Sequence, residues 1–255
     1  MELNKSLWNN HIAICLTFDL DWAGEDAIKL TYDIIEKFGF SSTFFITHPS
    51  KFIMDKIKRK EIDAGIHPNF LKNSSQGHNI KEVLDYCTKL LPDANSFRCH
   101  KYFDNNDITE LLHNNGFKYD SNLCTNLECI DPFVHRSGLI RFPIYFEDGA
   151  YLLHGNTLNF KEFQPSLFKN PGIYVFNFHP MHLIINSPSF SYMRKIKDAL
   201  SNKTWNNLSE MELQHLSFKG NGIGSFSLDL FKYIKREGFP VLTLEEAYQS
   251  IKKPI

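Results

Sequence analysis

The sequence has neither long apolar runs nor a strong net charge. No stretch approaches the ~20 apolar residues that a transmembrane helix needs, so we expect no membrane span. The 28 basic and 29 acidic residues give a formal net charge of -1, which offers no basic surface for nucleic acid or an anionic membrane. The first eleven residues, MELNKSLWNNH, are polar and do not read as a targeting signal.

Cysteine is scarce and scattered. The five cysteines, at positions 15, 87, 99, 124 and 129, form no C-x-x-C pair, so the sequence indicates neither a zinc ribbon nor a redox-active pair. Unpaired thiols fit a reducing compartment, and we expect a cytoplasmic location. The chain also lacks internal repeats and linkers rich in Pro, Gly or Ser, and it carries no signal for an oligomeric state.

What the sequence does contain is an alternation of short β-rich runs and amphipathic helices. HIAICLTF at 11–18 is the first predicted strand, and a helix follows to Phe38, with Gly39 as its stop. Asn79 with Glu82, and Asp107 with Glu110, have the spacing of capping boxes. Further strands are predicted at 41–47, 61–67, 95–100, 117–122, 139–146 and 172–179, with a closing strand and short helix at 240–248.

This alternation favours an α/β fold with a parallel sheet. We predict a distorted or incomplete (β/α) barrel of about seven to eight parallel strands. The barrel would be a single catalytic domain over residues 1–255, with an irregular substrate-side insertion at about 180–224. A doubly wound open sheet is the alternative.

Ionisable residues stand at the ends of six predicted strands. The carboxyl ends of parallel strands gather on one face of a barrel, where active sites are built. Groups of this kind bind metals and move protons, which predicts a catalytic site there. Taken singly, each residue also fits a solvated strand end, a packing histidine or an ion-pair partner. The residues are Asp19, Asp21, His48, His67, Arg98, His100, Asp120 and His179.

The first predicted strand ends in a D-x-D pair, Asp19 and Asp21. Successive side chains of an extended strand alternate between its two faces. The one-residue gap between Asp19 and Asp21 is expected to direct their side chains to different sides as the chain leaves the strand, so that their roles differ. A buried carboxylate without a partner is costly, which predicts a positive charge or a cation nearby.

Five motifs occur in an order that resembles the polysaccharide deacetylases of the NodB-homology group. They are LTFDLDWA, EIDAGIHPNF, SFRCHKYF, FNFHPMH and FKYIKREGFPVLTLEEAY. The resemblance covers residues 12–250 and is closest to a divergent branch associated with surface-polysaccharide, or O-antigen, biosynthesis. It implies a distorted (β/α) barrel, one divalent metal ion, and removal of acyl groups from sugars.

The resemblance also implies roles for individual residues. Asp19 matches the general base, and Arg98 matches the arginine that holds it. Asp21 and His67 match metal ligands, and His179 matches the general acid. The ion would be zinc in the first instance, with cobalt, nickel, manganese or iron as alternatives.

The third metal ligand departs from the family pattern. The usual second histidine, four residues after His67, falls at Leu71, which cannot ligate a metal. Two histidines remain as candidates. We favour His100, which lies two residues after Arg98, over His78, which lies at the far end of a polar loop. The substrate-binding residues are expected to be His48, Tyr102, Asp120 and His182.

The resulting prediction is a metal-dependent hydrolase that removes an acetyl or formyl group from an amino sugar. The substrate would be a small molecule or an oligosaccharide, either free or linked to a nucleotide or lipid. One alternative is a Mn²⁺-dependent glycosyltransferase that uses the D-x-D pair. GNGIGS at 220–225 could then receive a phosphate before a helix, although a flexible hinge is favoured. The other alternative is a non-catalytic carbohydrate-binding protein, for which Leu71 is the main argument.

Overall fold

A single ten-stranded sheet forms the centre of the computed structural model, which describes residues 3–6 and 8–252. The strands in these residues are β1 (Ile12–Asp19), β2 (Thr43–Ile46), β3 (Asp63–Ile66), β4 (Ser96–Phe97), β5 (Tyr119–Asp120), β6 (Phe133–Val134), β7 (Ile140–Arg141), β8 (Ile144–Glu147), β9 (Gly172–Phe178) and β10 (Val241–Leu242). Their order is β6-β7-β5-β4-β3-β2-β1-β9-β8, and β10 also pairs with β1. Among the described strand pairs, only β6 with β7 is antiparallel.

Twelve α-helices surround the sheet within the same residues. They are α1 (Glu25–Phe38), α2 (Lys51–Lys58), α3 (Ile80–Leu90), α4 (Asn106–Asn114), α5 (Asp148–Leu153), α6 (Phe160–Phe163), α7 (Pro180–Ile184), α8 (Phe190–Ala199), α9 (Asn202–Trp205), α10 (Glu210–Leu216), α11 (Ile223–Glu237) and α12 (Leu244–Lys252). Two 3-10 turns, His100–Tyr102 and Gln164–Ser166, complete the secondary structure. No helix in the described part of the chain is long and apolar enough to cross a membrane.

The predicted distorted barrel is confirmed, with differences in its strands. The strand predicted at 139–146 is two strands, β7 and β8, which are separated at Pro143. Proline has no N–H to donate to a sheet, which accounts for the break. Strand β6 was not predicted because it is a two-residue edge strand. The predicted boundaries 1–255 include residues 1, 2, 7 and 253–255, which lie outside the described part of the chain.

The helix signals in the sequence are largely reproduced. α1 ends at Gly39, which has a left-handed φ of 67° that favours glycine. The Asn79 side chain accepts a hydrogen bond from the backbone N–H of Glu82 and so caps α3, as predicted. The cap predicted at Asp107 is wrong: Asn105 caps α4 instead, by accepting from Ile108 N.

The segment 180–224 is not irregular but mostly helical. It contains α7, α8, α9 and α10, all of ten residues or fewer. Three of these helices begin after a serine whose hydroxyl accepts a backbone N–H three residues on, namely Ser189, Ser201 and Ser209. Short helices give weak hydrophobic periodicity, so the sequence predicts only one helix in this segment, at about 191–200, which corresponds to α8.

Strand β1 is buried on both faces. Ile14, Leu16 and Phe18 join the larger apolar cluster, while Ala13 and Cys15 join a second cluster. Phe18 packs between the rings of Phe44 and Phe178 on the neighbouring strands. This packing fixes the position of the carboxyl end of β1, where the first of the two aspartates lies.

Candidate metal centre and active site

The carboxyl ends of four neighbouring strands meet at one cavity. Asp19 ends β1, and His67, Arg98 and His179 directly follow β3, β4 and β9. The strands are adjacent or separated by only β2 in the sheet, so their ends lie side by side. The cavity has a volume of about 610 Å³, within the range of small-molecule sites. Asp19, His67 and His179 line it, and Arg98 is buried behind them.

Asp21, His67 and His100 form a cluster at the floor of the cavity. His67 Nε2 lies 3.1 Å from Asp21 Oδ1, and His100 Nδ1 lies 3.0 Å from the same oxygen. One ligand atom from each residue lies within 4.8 Å of the other two. His100 reaches this point because it begins a 3-10 turn after β4, where its backbone N–H donates to Pro68 O.

These three residues fit a divalent transition metal. Two imidazoles and a carboxylate are donors that zinc and related ions accept. Ligand atoms of a tetrahedral zinc site with bonds of about 2.0–2.1 Å lie about 3.3 Å apart. The two measured O–N separations are close to that spacing. His67 Nδ1 is buried with no hydrogen-bond partner among the described residues, which leaves this ring without an anchor other than the cluster itself.

Both aspartates of the D-x-D pair line the same cavity, so the expectation that they point to different sides is wrong. Side chains two residues apart in an extended strand share a face, and the chain also leaves the strand at this point. β1 ends at Asp19, and Asp21 has a left-handed φ of 43°. The chain therefore turns after the strand instead of continuing its alternation. Thr47 supports the turn because its hydroxyl accepts from the backbone N–H of Trp22. The two carboxylates differ by their partners, not by the face of the strand.

Asp19 is held by a buried polar network. Arg98 Nη1 donates to Asp19 Oδ1 over 2.9 Å, and Asn177 Nδ2 donates to Asp19 Oδ2 over 2.8 Å. The Asn177 side chain also accepts from Arg98 Nη1 over 2.6 Å. Arg98 itself is fixed by Ser121, whose carbonyl and hydroxyl oxygens accept from the guanidinium. Both oxygens of Asp19 are thus oriented by donors.

The two aspartates stay ionised for different reasons. Burial by itself raises the pKa of Asp19, but the charges of Arg98 and, to a lesser degree, His67 leave that pKa below its usual value. Burial likewise opposes ionisation of Asp21, but the hydrogen bonds from His100 and His67 hold its pKa well below the usual range. The pKa of Asp19 is lowered by a fixed arginine, whereas the pKa of Asp21 is lowered by two imidazole rings that are also suitable metal ligands.

His179 forms a second pair on the other side of the cavity. Its Nδ1 lies 2.6 Å from Asp148 Oδ1, and its backbone N–H donates to Asp148 Oδ2. Burial alone would lower the pKa of His179, but the charge of Asp148 raises it well above the usual value. The other nitrogen, Nε2, lies 3.6 Å from Asp21 Oδ2. His179 thus presents Nε2 to the cavity while Asp148 fixes the ring.

Glu147, Asp148 and His179 are also close enough to hold an ion. Their oxygens, however, are already engaged. Glu147 accepts from the backbone N–H groups of Gly149 and Ala150 and so caps α5. Asp148 accepts two hydrogen bonds from His179. The cluster of Asp21, His67 and His100 is therefore the better metal site, because its donors converge without such commitments.

The sequence analysis missed Asn177, Asp148 and Glu147. Asn177 is the one polar residue in the apolar run GIYVFNF, two residues before His179 and hence on the same face of β9. Glu147 and Asp148 follow β8 as an acidic pair. Both signals resemble the strand-end pattern that identified the other residues, so they could have been found.

Two expected substrate-binding residues line the cavity. The hydroxyl of Tyr102 accepts from Asn177 Nδ2 over 3.1 Å, and the backbone φ of Tyr102 is left-handed at 53°. His182, in α7, is buried, and burial lowers its pKa to about 4, so its ring is neutral at pH 7. The cavity thus has a phenol and a neutral imidazole beside the charged groups.

Two other expected substrate-binding residues lie outside the cavity lining. His48 uses both ring nitrogens, one with the Thr47 hydroxyl and one with Ala23 O, and so braces the turn after β1. Asp120 is fully buried and forms an ion pair with Arg141 over 3.0 Å. Both residues have structural partners that occupy the groups with which they would bind a sugar.

The two candidates for the third ligand are placed differently. His78 is exposed, before α3, where its backbone N–H donates to Glu82 Oε2. It is not part of the described cluster, whereas His100 is. The difference arises because Gln76 folds the polar loop back: its side-chain amide donates to the carbonyls of Thr47 and His67 and accepts from Asn69 N.

We expect His100→Ala to weaken metal binding and His78→Ala to leave it unchanged. Loss of one of three ligands removes about 10²-fold or more in affinity. Titration of the chelator-stripped variants with Zn²⁺, followed by a competing indicator dye, measures the difference. His78→Ala serves as the matched control, since it removes the same side chain nearby. Equal affinities in the two variants would contradict the assignment of His100.

The glycine-rich segment at 220–225 is neither a hinge nor a phosphate loop. A Cβ at Gly222 would lie 2.1 Å from the backbone oxygen of Asn186, so the glycine permits close packing of α11 on the end of α7. Two N–H groups at this helix end are also occupied: Ile223 N donates to Ser187 O, and Ser225 N donates to Asn186 Oδ1. The segment therefore does not present the row of free N–H donors that a diphosphate would need.

Comparison with known proteins gives one family match and several similar structures. A family model described as WbmS-like, polysaccharide deacetylase, matches residues 16–197, which is more than half of the chain. A crystal structure of WbmS from Bordetella bronchiseptica, described as a candidate polysaccharide deacetylase involved in O-antigen biosynthesis, has a TM-score of 0.76 and 25% identity. The match covers 90% of this chain and 93% of that chain. No curated protein gives a significant match.

More distant structures share the fold alone. The Bc1960 peptidoglycan N-acetylglucosamine deacetylase has a TM-score of 0.50 and 14% identity, with 97% of this chain and 96% of that chain covered. A 4-alpha-glucanotransferase from Thermococcus litoralis has the same TM-score at 13% identity, with 94% of this chain and 38% of that chain covered. Because a hydrolase and a transferase both match at this level, the reaction must be argued from the side chains.

Proposed function

The chain belongs to the WbmS-like polysaccharide deacetylase family, and on that premise we propose that it is a metal-dependent hydrolase that removes an acetyl or formyl group from an amino sugar of a surface polysaccharide or its precursor. The observation that carries the proposal is the convergence of His67 and His100 on one oxygen of Asp21, beside the buried Asp19. An ion-binding cluster next to a carboxylate that is not needed to bind the ion is the arrangement that metal-assisted hydrolysis requires.

Asp21, His67 and His100 would hold the ion, with zinc as the first choice and cobalt, nickel, manganese or iron as alternatives. When bound, such an ion supplies Lewis acidity that makes water more acidic and polarises an acyl carbonyl. Three protein ligands leave room for both water and substrate. The position of the cluster on the cavity floor gives an acyl group access to it.

Asp19 would act as the general base. Its carboxylate is ionised, it lines the cavity, and Arg98 and Asn177 orient both of its oxygens. It therefore accepts a proton from water without first breaking a bond to the metal ligands. Because Arg98 stabilises the ionised form, Asp19 remains a base over the neutral pH range, and it passes its proton on readily.

His179 would act as the general acid. Asp148 accepts from Nδ1 and raises the pKa of the ring, so Nε2 carries a proton that faces the cavity. Donation of that proton to the departing amine nitrogen avoids the expulsion of an amide anion. Asp19 thus accepts a proton from water and His179 donates a proton to the amine, and the two side chains differ in charge and in hydrogen-bond partners.

The substrate class follows from the family and its neighbour. A WbmS structure described in connection with O-antigen biosynthesis is similar over most of both chains, which supports an amino sugar of a surface polysaccharide. A cytoplasmic location would fit a free, nucleotide-linked or lipid-linked precursor, and the five cysteines are unpaired. The D-x-D transferase alternative is not favoured, because Arg98 and Asn177 engage both oxygens of Asp19 and so leave only Asp21 of the pair for an ion.

The direct test is acyl release from a panel of N-acetyl and N-formyl amino sugars. We expect the protein loaded with one equivalent of Zn²⁺ to release acetate or formate from at least one of them, and the chelated protein to release neither. Restoring the ion should restore release. A protein that binds the ion and an amino sugar but releases no acyl group would support the non-catalytic carbohydrate-binding alternative instead.

Asn177→Leu is expected to lower kcat by about 10–100-fold while leaving the metal content unchanged, because one oxygen of the base loses its donor. Leucine branches at the same position as asparagine but is larger and leaves Arg98 Nη1 without one acceptor, so thermal unfolding is measured alongside. Steady-state kinetics and metal analysis measure the effect. Asn206→Leu, at a half-buried asparagine outside the cavity lining, is the control. An unchanged kcat would remove Asn177 from the site.

A further inference from the structure

The mouth of the cavity is basic, whereas its floor is acidic. Lys101, Arg194 and Lys197 line the outer part, together with one acidic residue, Asp198. Lys101 follows the His100 cluster residue directly, and the other two lie on α8, in the segment 180–224. The ends of the cavity thus differ in charge, although the protein as a whole is close to neutral.

We propose that Lys101, Arg194 and Lys197 form a subsite for an oxyanion, a phosphate or a carboxylate, carried by the same sugar as the acylamino group. The proposal rests on the proposed function, which places the acyl group at the cavity floor. It assigns the substrate to the anionic amino sugars: sugar phosphates, including nucleotide-linked sugars, or uronic acids.

The cations at the mouth are not neutralised within the protein. Lys101 and Lys197 have no carboxylate oxygen within 4.0 Å among residues 3–6 and 8–252, whereas Lys29, Lys56 and Lys232 each pair with one. Arg194 is 3.7 Å from Asp198, but both side chains are more than 70% exposed, so this contact contributes little. Positive charge is therefore available to a ligand.

Two of the cations are tied to neighbouring parts of the site. Lys101 has a left-handed φ of 54° within the turn that carries His100 and Tyr102, so its backbone is held by the site itself. A lysine in this conformation is uncommon, and such strain collects at functional sites. Lys197, on α8, has its Nζ 5.7 Å from the ring centroid of Trp205, a buried residue that also lines the cavity.

The cations at the mouth also give a bound substrate a direction. A bound divalent ion would offset the charges of Asp19 and Asp21 at the floor, so the floor itself does not set this direction. Attraction of the oxyanion to the lysines at the mouth leaves the acylamino group of the same sugar to face inward, as hydrolysis requires.

The test compares binding of anionic and neutral sugars to the zinc-loaded Asp19→Asn protein, in which turnover is blocked. The probes are UDP-N-acetylglucosamine, N-acetylglucosamine 1-phosphate, N-acetylgalactosaminuronic acid and uncharged N-acetylglucosamine, measured by calorimetry. We expect at least one anionic probe to bind about tenfold or more tightly than the neutral sugar, with an affinity that falls as salt rises. The preferred probe distinguishes phosphate from carboxylate.

The double substitution Lys101→Gln with Lys197→Gln should remove this preference. The control is Lys195→Gln with Lys203→Gln, which makes the same change in net charge at exposed residues outside the cavity lining. The control should bind like the parent protein. Anionic probes that bind no more tightly than N-acetylglucosamine, or a preference that survives the double substitution, would overturn the subsite.

Failure of the proposed subsite can be distinguished from failure of the proposed hydrolase function. Hydrolysis of the neutral ester 4-nitrophenyl acetate by the protein with Asp19 intact reports the metal centre alone, and we expect Lys101→Gln with Lys197→Gln to leave it within about twofold. Lysine-dependent binding without any acyl release would refute the hydrolase but retain the subsite. Acyl release from an anionic amino sugar that is unchanged by the two lysine substitutions would refute the subsite but retain the hydrolase.

Discussion

Asp19→Asn should retain the metal ion and lose about 10²–10⁴-fold in kcat, the range expected when a general base is removed. The asparagine oxygen can still accept from Arg98, so the buried guanidinium keeps a partner and the fold is preserved. What disappears is the negative charge that takes a proton from water. Steady-state acyl release, zinc analysis and thermal unfolding of the same preparation measure the three quantities together.

The matched control for this substitution is Asp93→Asn, which makes the same chemical change at an exposed residue outside the cavity lining. It should be indistinguishable from the wild-type protein in all three measurements. If Asp19→Asn also lost its zinc, Asp19 would be a ligand and not the base. If it kept both zinc and turnover, another group would have to accept the proton.

Removal of a metal ligand should have an effect of similar size on activity and a larger effect on metal binding. We expect Asp21→Ala and His67→Ala to contain less than about a tenth of an equivalent of zinc after purification, with no detectable acyl release. Asp21 supplies the charge that the ion neutralises, and His67 supplies a buried nitrogen that cannot be replaced by solvent.

Thermal unfolding gives a readout of this prediction that does not depend on turnover. A ligand that binds only the folded state raises the stability by about 2.7 kcal/mol at a concentration of one hundred times its Kd. Zinc should therefore raise the Tm of the wild-type protein and of Asp148→Asn, whose substitution leaves the cluster intact. It should not raise the Tm of the ligand variants. A Tm rise that disappears only in Asp148→Asn would place the ion at Glu147, Asp148 and His179 instead.

Much of the site was accessible from the sequence because it depends on a simple rule. A buried parallel strand is apolar until it reaches the edge of the sheet, so a polar residue at that point can be recognised in the sequence. Asp19, His67, Arg98 and His179 follow from this rule, and the structure brings them to one cavity or directly behind it. The fold followed from the same alternation of strands and helices.

The remainder depended on features that a one-dimensional pattern does not contain. The turn after β1, in which Asp21 and Trp22 both have a left-handed φ, brings Asp21 to the same cavity as Asp19. The pairing of Asp148 with His179 joins residues 31 positions apart. Asp120 meets the strand-end rule but serves an ion pair with Arg141. In the first case a local turn, and in the other two a long-range contact, decides what the side chain does.

The most direct test of the account is an anomalous difference map at the zinc edge, from crystals of protein loaded with one equivalent of Zn²⁺. The account predicts one strong peak within about 2.0–2.2 Å of Asp21, His67 and His100, with Asp19 outside bonding distance and still paired with Arg98. A peak at Glu147, Asp148 and His179, or no peak at either cluster in fully folded protein, would contradict the central claim.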